Sequence, residues 1–421
     1  MRIDGKSDVL YLIMGTTPFP NLISAITRIK ENGIIVCICT DSTKGNPYGR
    51  FKKVVMNRLK NIEVDYIVVD GFERSNIGDA IKEDLEGRLQ KADKEIFIEL
   101  NYTGGTKVMS SAAYEAIRYY NYSKCKVKAN VILSYIDPER ELMCYEFKKS
   151  DTKYYISNSI KLKNLETTHE YTVYDVINTY NDGLKNENKI KENVRMKDLA
   201  AEMGSLFCNI DKETYDKHIN FIGDINHYFR DVTKDNKKEK GKGFNSWLDN
   251  KLHEERLPFK YKKSDEFGFS KDKELYKYFN KTEWLEEYIF SIFLDLKSEG
   301  VLDYTAANYE KTQNEEESNF EVDIIAYRQY KLYAVSVTSA IEKELVLDKL
   351  YEIKQRAKDL AGDETGMCYI NLCWDVDFLK DEIINIWDNS DPQNLLILGA
   401  KSFGNLKDEI KVWITRGGSI E

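Results

Sequence analysis

Apolar residues in the first 150 positions fall into short unbroken runs separated by stretches with helical spacing. VLYLIM (9–14), IIVCICT (34–40), VDYIVVD (64–70), IFIEL (96–100) and VKANVILSYI (127–136) each have the length of a buried strand. Amphipathic segments lie between them. The first, NLISAITRIKEN, opens at Asn21 and is expected to close at Gly33. Strands apolar on both faces, alternating with helices, predict a parallel sheet covered on both sides, a Rossmann-like α/β domain. ELMCYEF (141–147) and TKYYISNSIKL (152–162) read as a hairpin or meander extending that sheet.

The pattern changes after this point. YTVYDVINTYND, VRMKDLAAEMGSLFCN and KHINFIGDINHYFRDV have helical spacing, and the lysine run KDNKKEKGKG (234–243) reads as a charged loop or linker. A second α/β pattern begins with the helix TEWLEEYIFSIFLDLKSEG (282–300). It continues with strands near 303–308, 320–327 and 331–338, a helix over 342–360 and the strand MCYINLCW (367–374). The expected division is therefore an α/β domain over 1–162, a mostly helical connector over 163–280 and a second α/β domain over 281–421.

Composition narrows the classes without choosing among them. With 32% charged and 42% apolar residues, the 421-residue chain is neither fibrous nor wholly disordered. Its net charge of −9 argues against a general nucleic-acid coat but leaves room for a local basic groove. Seven cysteines, mostly inside apolar runs and with no C-x-x-C pair, suggest free thiols in a reducing compartment rather than a structural zinc site. No apolar run reaches membrane-spanning length and no signal peptide is evident, so the expectation is a cytoplasmic protein without a membrane partner.

Three loops stand at strand ends, where open parallel sheets bind ligands. GTTPFPN follows the first strand. It offers the hydroxyls of Thr16 and Thr17, two of the six prolines of the chain (Pro18 and Pro20), and Asn21 at the helix start. TDSTKGN follows the second strand and supplies Asp41. NYTGGTK precedes the helix VMSSAAYEAIRYY; Gly104 and Gly105 admit a close ligand, while Thr103, Thr106 and Lys107 add hydroxyls and a positive charge. No GxxxxGK[ST] or GxGxxG string is present. The chemistry favours a phosphate-bearing or nucleotide ligand.

GTTPFPN together with ELNYTGGTKVMSSAAYEAI resembles the CARF (CRISPR-associated Rossmann fold) domain, over about residues 8–150. The resemblance is closest to CARF fusions with a restriction-endonuclease-like domain in type III CRISPR systems. It implies a homodimer that binds a cyclic oligoadenylate, commonly the tetra-adenylate, across its two-fold axis. Thr16, Thr17, Pro18, Asn21, Asp41, Thr103, Gly104, Gly105, Thr106 and Lys107 would line that pocket.

The C-terminal part carries acids in a suggestive order. Glu286 and Glu287 lie on the helix WLEEYIF, and Glu321 and Asp323 alternate along FEVDIIAYR, so they share one face of a strand. Two acids on one face of so apolar a strand need solvent or cations. This order resembles the PD-(D/E)xK nuclease domain that follows CARF in the same family. The resemblance implies Asp323 and Glu287 as ligands of Mg2+ or Mn2+, with Glu286 second to Glu287. The third element departs from the family pattern, because the expected acid-x-lysine reads Ser336-Val337-Thr338. Threonine cannot supply the charge of the lysine. Lys349, with Glu352 and Arg356 on the same helical face, is the candidate replacement, and Lys234, Lys237, Lys238, Lys240 and Lys242 are candidates for the groove rim.

The sequence thus predicts an effector that senses cyclic oligoadenylate and cleaves DNA or RNA with a metal ion. Two alternatives remain. One is a sensor or regulator with an inactive nuclease-like domain, as the Thr338 departure suggests; the other is a ring nuclease that degrades its own activator.

Overall fold

The computed structural model describes residues 6–15, 18–137, 140, 142–148, 155–165, 172–180, 190–235, 244–255, 257, 269, 272–280, 282–311, 320–328, 331–362, 365–379 and 394–415. Thr16, Thr17, Lys237, Lys238, Lys240 and Lys242 lie outside them; Lys234 falls within a helix. The chain divides into two compact units, Met1–Leu184 with Asp359–Asp363, and Lys185–Lys358 with Glu364–Glu421.

In the first unit the apolar runs become the strands β1 (Ser7–Ile13), β2 (Ile29–Cys39), β3 (Glu63–Val68), β4 (Ile96–Asn101) and β5 (Ala129–Asp137). All five are parallel, and they alternate with α1 (Phe19–Arg28), α2 (Asn46–Arg58), α3 (Arg74–Lys91) and α4 (Lys107–Arg118). β6 (Leu142–Lys148) and β7 (Tyr155–Lys161) add an antiparallel meander, giving the order β3-β2-β1-β4-β5-β6-β7. The sheet is buried where helices cover it: Val36, Ile38, Ile98 and Leu100 pack with Ile77, Ile81 and Ala113. Helix α5 (Val173–Tyr180) belongs to this unit, and its Asp175 takes a 2.8 Å hydrogen bond from Arg58 of α2.

The first helix is shorter than the pattern predicts. It ends at Arg28, and the residues expected to complete it, Ile29–Gly33, begin β2. Tertiary contacts override the local spacing here. Arg28 is drawn into a buried pair with Glu99, Ile29 pairs with Ser7, and the Lys30 ammonium meets Asp8 at 2.8 Å over the Phe97 ring.

The second unit opens with helices α6 (Lys197–Ser205), α7 (Lys212–Asp235), α8 (Phe244–Glu255) and α9 (Asp272–Asn280), which are most of the expected connector. Next comes α10 (Glu283–Ser298), then β8 (Tyr304–Lys311), β9 (Phe320–Arg328) and β10 (Lys331–Thr338), joined antiparallel. After α11 (Lys343–Ala361), β11 (Gly366–Asn371) and β12 (Leu395–Leu398) continue the sheet in parallel, and α12 (Leu406–Thr415) follows. The order is β12-β11-β10-β9-β8. Trp284, Leu285, Ile289, Phe290 and Phe293 of α10 bury against Ile324, Ala326 and Val335, each large side chain contributing about 2–3 kcal/mol of transfer free energy. No helix among the described residues is long and apolar enough to cross a membrane. All seven cysteines are free thiols.

Candidate ligand pocket and acid centre

In the first sheet the chain moves outward from β1 to β2 and β3, then returns to place β4 on the other side of β1. The loops that follow β1 and β4 start from this switch point, the place at the carboxyl ends of the strands where open parallel sheets bind ligands in a crevice. Gly104 lies so close to β1 that a Cβ would stand 2.2 Å from the Ile13 carbonyl oxygen. Gly105 has φ +75°, and its Cβ would meet Ile13 Cγ2 at 2.3 Å. Asn21, fully buried at the start of α1, donates from Nδ2 to Ile13 O at 3.0 Å, while its Oδ1 is buried without a partner among the described residues.

The glycine loop is held at both ends. Thr103 donates its amide to Asn101 Oδ1 at 3.2 Å, and its hydroxyl oxygen accepts from the Ile136 amide at 2.8 Å. Thr106 caps α4 by accepting the Met109 amide at 3.2 Å and donates to Gly71 O at 3.3 Å. Lys107, exposed, is the first residue of α4, where a cation opposes the helix dipole unless an anion joins it. Pro18 is buried at the start of α1. Asp41 is brought to the same strand edge but turns its carboxylate to Lys44 at 2.6 Å. The loop after β3 is an addition to the sequence reading: a Cβ on Gly71 would stand 2.8 Å from Thr40 Cγ2, and the Gly71 carbonyl accepts from Thr106, which brings the loops of β2, β3 and β4 together. A glycine directly after the run VDYIVVD was the available signal.

Beneath this crevice is a buried ion pair. Arg28 Nε donates to both carboxylate oxygens of Glu99 at 3.0 Å, and Ser7 and Ser134 hydroxyls each donate to Glu99 at 2.7 Å. Asn101 Nδ2 donates to Ser134 Oγ at 3.1 Å, so the chain of bonds reaches the residue that holds Thr103.

The second sheet gathers acids at the β9–β10 end. Paired register ends at Val335–Ile324. Past it, the Asp323 carboxylate accepts the Val337 amide at 2.6 Å and the Ser336 hydroxyl at 3.2 Å. Ser336 is therefore a prop for Asp323. Burial raises the Asp323 carboxyl to about 6 against the pull of the Val337 amide, and Glu321 adds to the rise. Glu286 is pushed up to about 9 by burial and by the charges of Asp323 and Glu321, while Lys191 opposes the shift.

The helix acid beside Asp323 is thus Glu286, which corrects the expectation for Glu287. The cause is the 100° step between successive helix residues. Glu287 points elsewhere and is 6% exposed, accepting the Met196 amide at 2.9 Å and the Tyr278 hydroxyl at 3.2 Å. Lys349 bonds Glu352 at 2.5 Å, and Arg356 bonds both Glu352 and the Glu321 carbonyl. Of these two cations, Arg356 is the one whose charge acts among the main influences on Asp323. Among the described residues no three His, Cys, Asp or Glu side chains are grouped so as to hold a metal. Asp323 and Glu286 nonetheless suit a hard cation such as Mg2+, which takes one or two carboxylates and fills the rest of its shell with water and phosphate.

Residues 9–165 match the family profile of the Card1 CARF domain. No curated protein sequence matches the chain. Among solved structures, protein VC1899 from Vibrio cholerae is 16% identical with a TM-score of 0.66, covering 98% of this chain and 100% of its own. Can2 from Sulfobacillus thermosulfidooxidans, solved in complex with cyclic tetra-adenylate, is 18% identical with a TM-score of 0.62, covering 97% of each chain. The fold is therefore shared along nearly the whole length. The glycine loop that follows β4 lies inside the segment that matches the Card1 CARF domain, and a second α/β unit follows that segment.

Proposed function

We propose that this chain is a nuclease activated by cyclic oligoadenylate, working as a homodimer with Mg2+ or Mn2+ in type III CRISPR defence and cleaving DNA or RNA. The sensing half rests on the CARF match and on Can2, which was solved with cyclic tetra-adenylate. Gly104 and Gly105, with the amides opening α4 and the Lys107 charge, suit a phosphate of such a ring. A ring with two-fold symmetry suits a symmetric pair of chains, each presenting the crevice once.

The observation that carries the catalytic half is the grouping of Glu286 with Asp323 and Glu321: burial first, and then the charges of those two acids, push the Glu286 carboxyl up to about 9. Charge crowded in this way at a sheet end is relieved by a divalent cation, which supplies phosphate polarisation and an acidified water when bound. Asp323 and Glu286 would hold it with Glu321 beside them, Ser336 orienting Asp323 and Arg356 balancing the charge. Glu286 takes the part expected of Glu287.

A second reading, a sensor whose second unit only binds a partner, is favoured by Ser336 and Thr338 standing where the family has an acid and a lysine. One experiment separates the two. The chain is incubated with Mn2+ and supercoiled plasmid, single-stranded DNA or RNA, with and without cyclic tetra-adenylate and cyclic hexa-adenylate. Cleavage that needs ligand and metal and disappears in Asp323→Ala supports the nuclease. Intact substrate throughout, or cleavage that survives Asp323→Ala, overturns it.

A further inference from the structure

The strand that should carry a lysine ends in Thr338, but a lysine from another part of the chain lies on the sheet face covered by α10, the helix of Glu286. Lys191, just before α6, forms an isolated antiparallel bridge with β8, exchanging backbone hydrogen bonds with Ala307 at 3.0 and 2.8 Å. Ala307 pairs with Ile324 of β9, and Ile324 with Val335 of β10. Residues opposed across antiparallel strands share a face. Ala307, Ile324 and Val335 are all buried with α10, so Lys191 extends a row on the sheet face that α10 covers.

The same stretch of chain is fastened a second time. Met196 donates its amide to Glu287, the immediate neighbour of Glu286 on α10. Segment 191–196 is thereby clamped at one end by β8 and at the other by α10. Lys191 is the cation among the main influences on Glu286. Its ammonium has no hydrogen bond or ion pair among the described residues, whereas Lys349 is taken up by Glu352.

We propose that Lys191 is the cationic member of this acid centre, contacting a phosphate oxygen of the nucleic-acid substrate in the role that Thr338 cannot fill. The inference rests on the nuclease reading above. Its chemistry is charge stabilisation: an ammonium beside the phosphate offsets negative charge as a water oxygen bonds to phosphorus and gives up its proton to solvent, while the opposite P–O bond breaks with its electron pair leaving on the departing oxygen. The backbone bridge to Ala307 does not depend on the side chain, so substitution tests charge rather than fold.

The test compares wild type with Lys191→Met, Lys191→Arg and Lys349→Met in full-length chains. The readouts are Mn2+ affinity of the ligand-free protein by titration calorimetry and plasmid or RNA cleavage with cyclic tetra-adenylate. Removing a cation from the centre strengthens Mn2+ binding by about fivefold in Lys191→Met, while Lys349→Met stays near wild type. Cleavage falls about 100-fold in Lys191→Met and returns toward wild type in Lys191→Arg. Unchanged Mn2+ affinity in Lys191→Met overturns the placement of the charge. Normal cleavage by Lys191→Met, with wild type active, overturns the role. An inactive wild type overturns the nuclease reading instead, and Mn2+ affinity then still decides whether Lys191 faces the acids.

Discussion

Glu286 and Glu287 are successive residues of α10, yet one carboxyl is crowded against Asp323 and the other is satisfied by the Met196 amide and the Tyr278 hydroxyl. They should respond to substitution in opposite ways. Glu286→Gln exchanges a carboxyl that burial and its acidic neighbours keep protonated near neutral pH for a neutral amide, so metal-free protein melts at an equal or higher temperature while nuclease activity is lost. Glu287→Ala strands two donors and lowers stability by about 2 kcal/mol. Thermal and denaturant unfolding in EDTA check both.

The ligand crevice depends on two glycines for different reasons. At Gly104 a methyl group would collide with the Ile13 carbonyl, and at Gly105 it would also require a left-handed backbone. Gly104→Ala and Gly105→Ala should each cost about 1–3 kcal/mol of stability and weaken cyclic tetra-adenylate binding at least tenfold. Lys107→Ala should weaken binding while leaving the melting temperature of ligand-free protein equal or slightly higher, since the side chain is exposed and its charge opposes the helix dipole. Calorimetric titration with the cyclic ligand distinguishes these outcomes.

Glu99 is fully buried and bonded to Arg28, Ser7 and Ser134. Glu99→Met leaves a buried guanidinium without its partner and should cost about 3–5 kcal/mol. The double replacement Arg28→Met, Glu99→Met removes both charges and should be less destabilising than the single change. A double-mutant cycle by urea unfolding measures the coupling.

His218, 2% exposed, donates from Nδ1 to the Leu206 carbonyl at 2.6 Å, and burial holds its imidazole below the ordinary 6.5. Between 6.5 and the lower folded value, the unfolded chain binds a proton at this site and the folded chain does not. Stability is therefore lost as pH falls through that window and is retained above it. Unfolding midpoints at pH 7.5 and 5.5 should drop further in wild type than in His218→Asn. Equal drops would assign the acid sensitivity to other groups.

Much of the fold was legible because it follows from patterning. Continuous runs such as IIVCICT can be buried only in a sheet covered on both faces, and the helical spacing between them supplies the cover. The glycines of NYTGGTK were legible for a similar reason, since a strand end followed by two glycines and a helix start is a local feature. The end of α1 was not. Residues 29–33 continue a helical pattern, and only pairing with Ser7 and Asp8 turns them into strand.

The sequence by itself determined two α/β units, the strand-end loops, and Asp323 with its companion Glu321 on one strand. Tertiary structure alone decided which of two adjacent glutamates faces Asp323, because a helix rotation of 100° separates them and packing sets its phase. It also brought in Lys191, whose approach depends on a backbone bridge to Ala307, more than a hundred residues away. Local pattern fixes which face of an element is apolar. The meeting of charges from distant segments is settled only when the sheet and helices close around them.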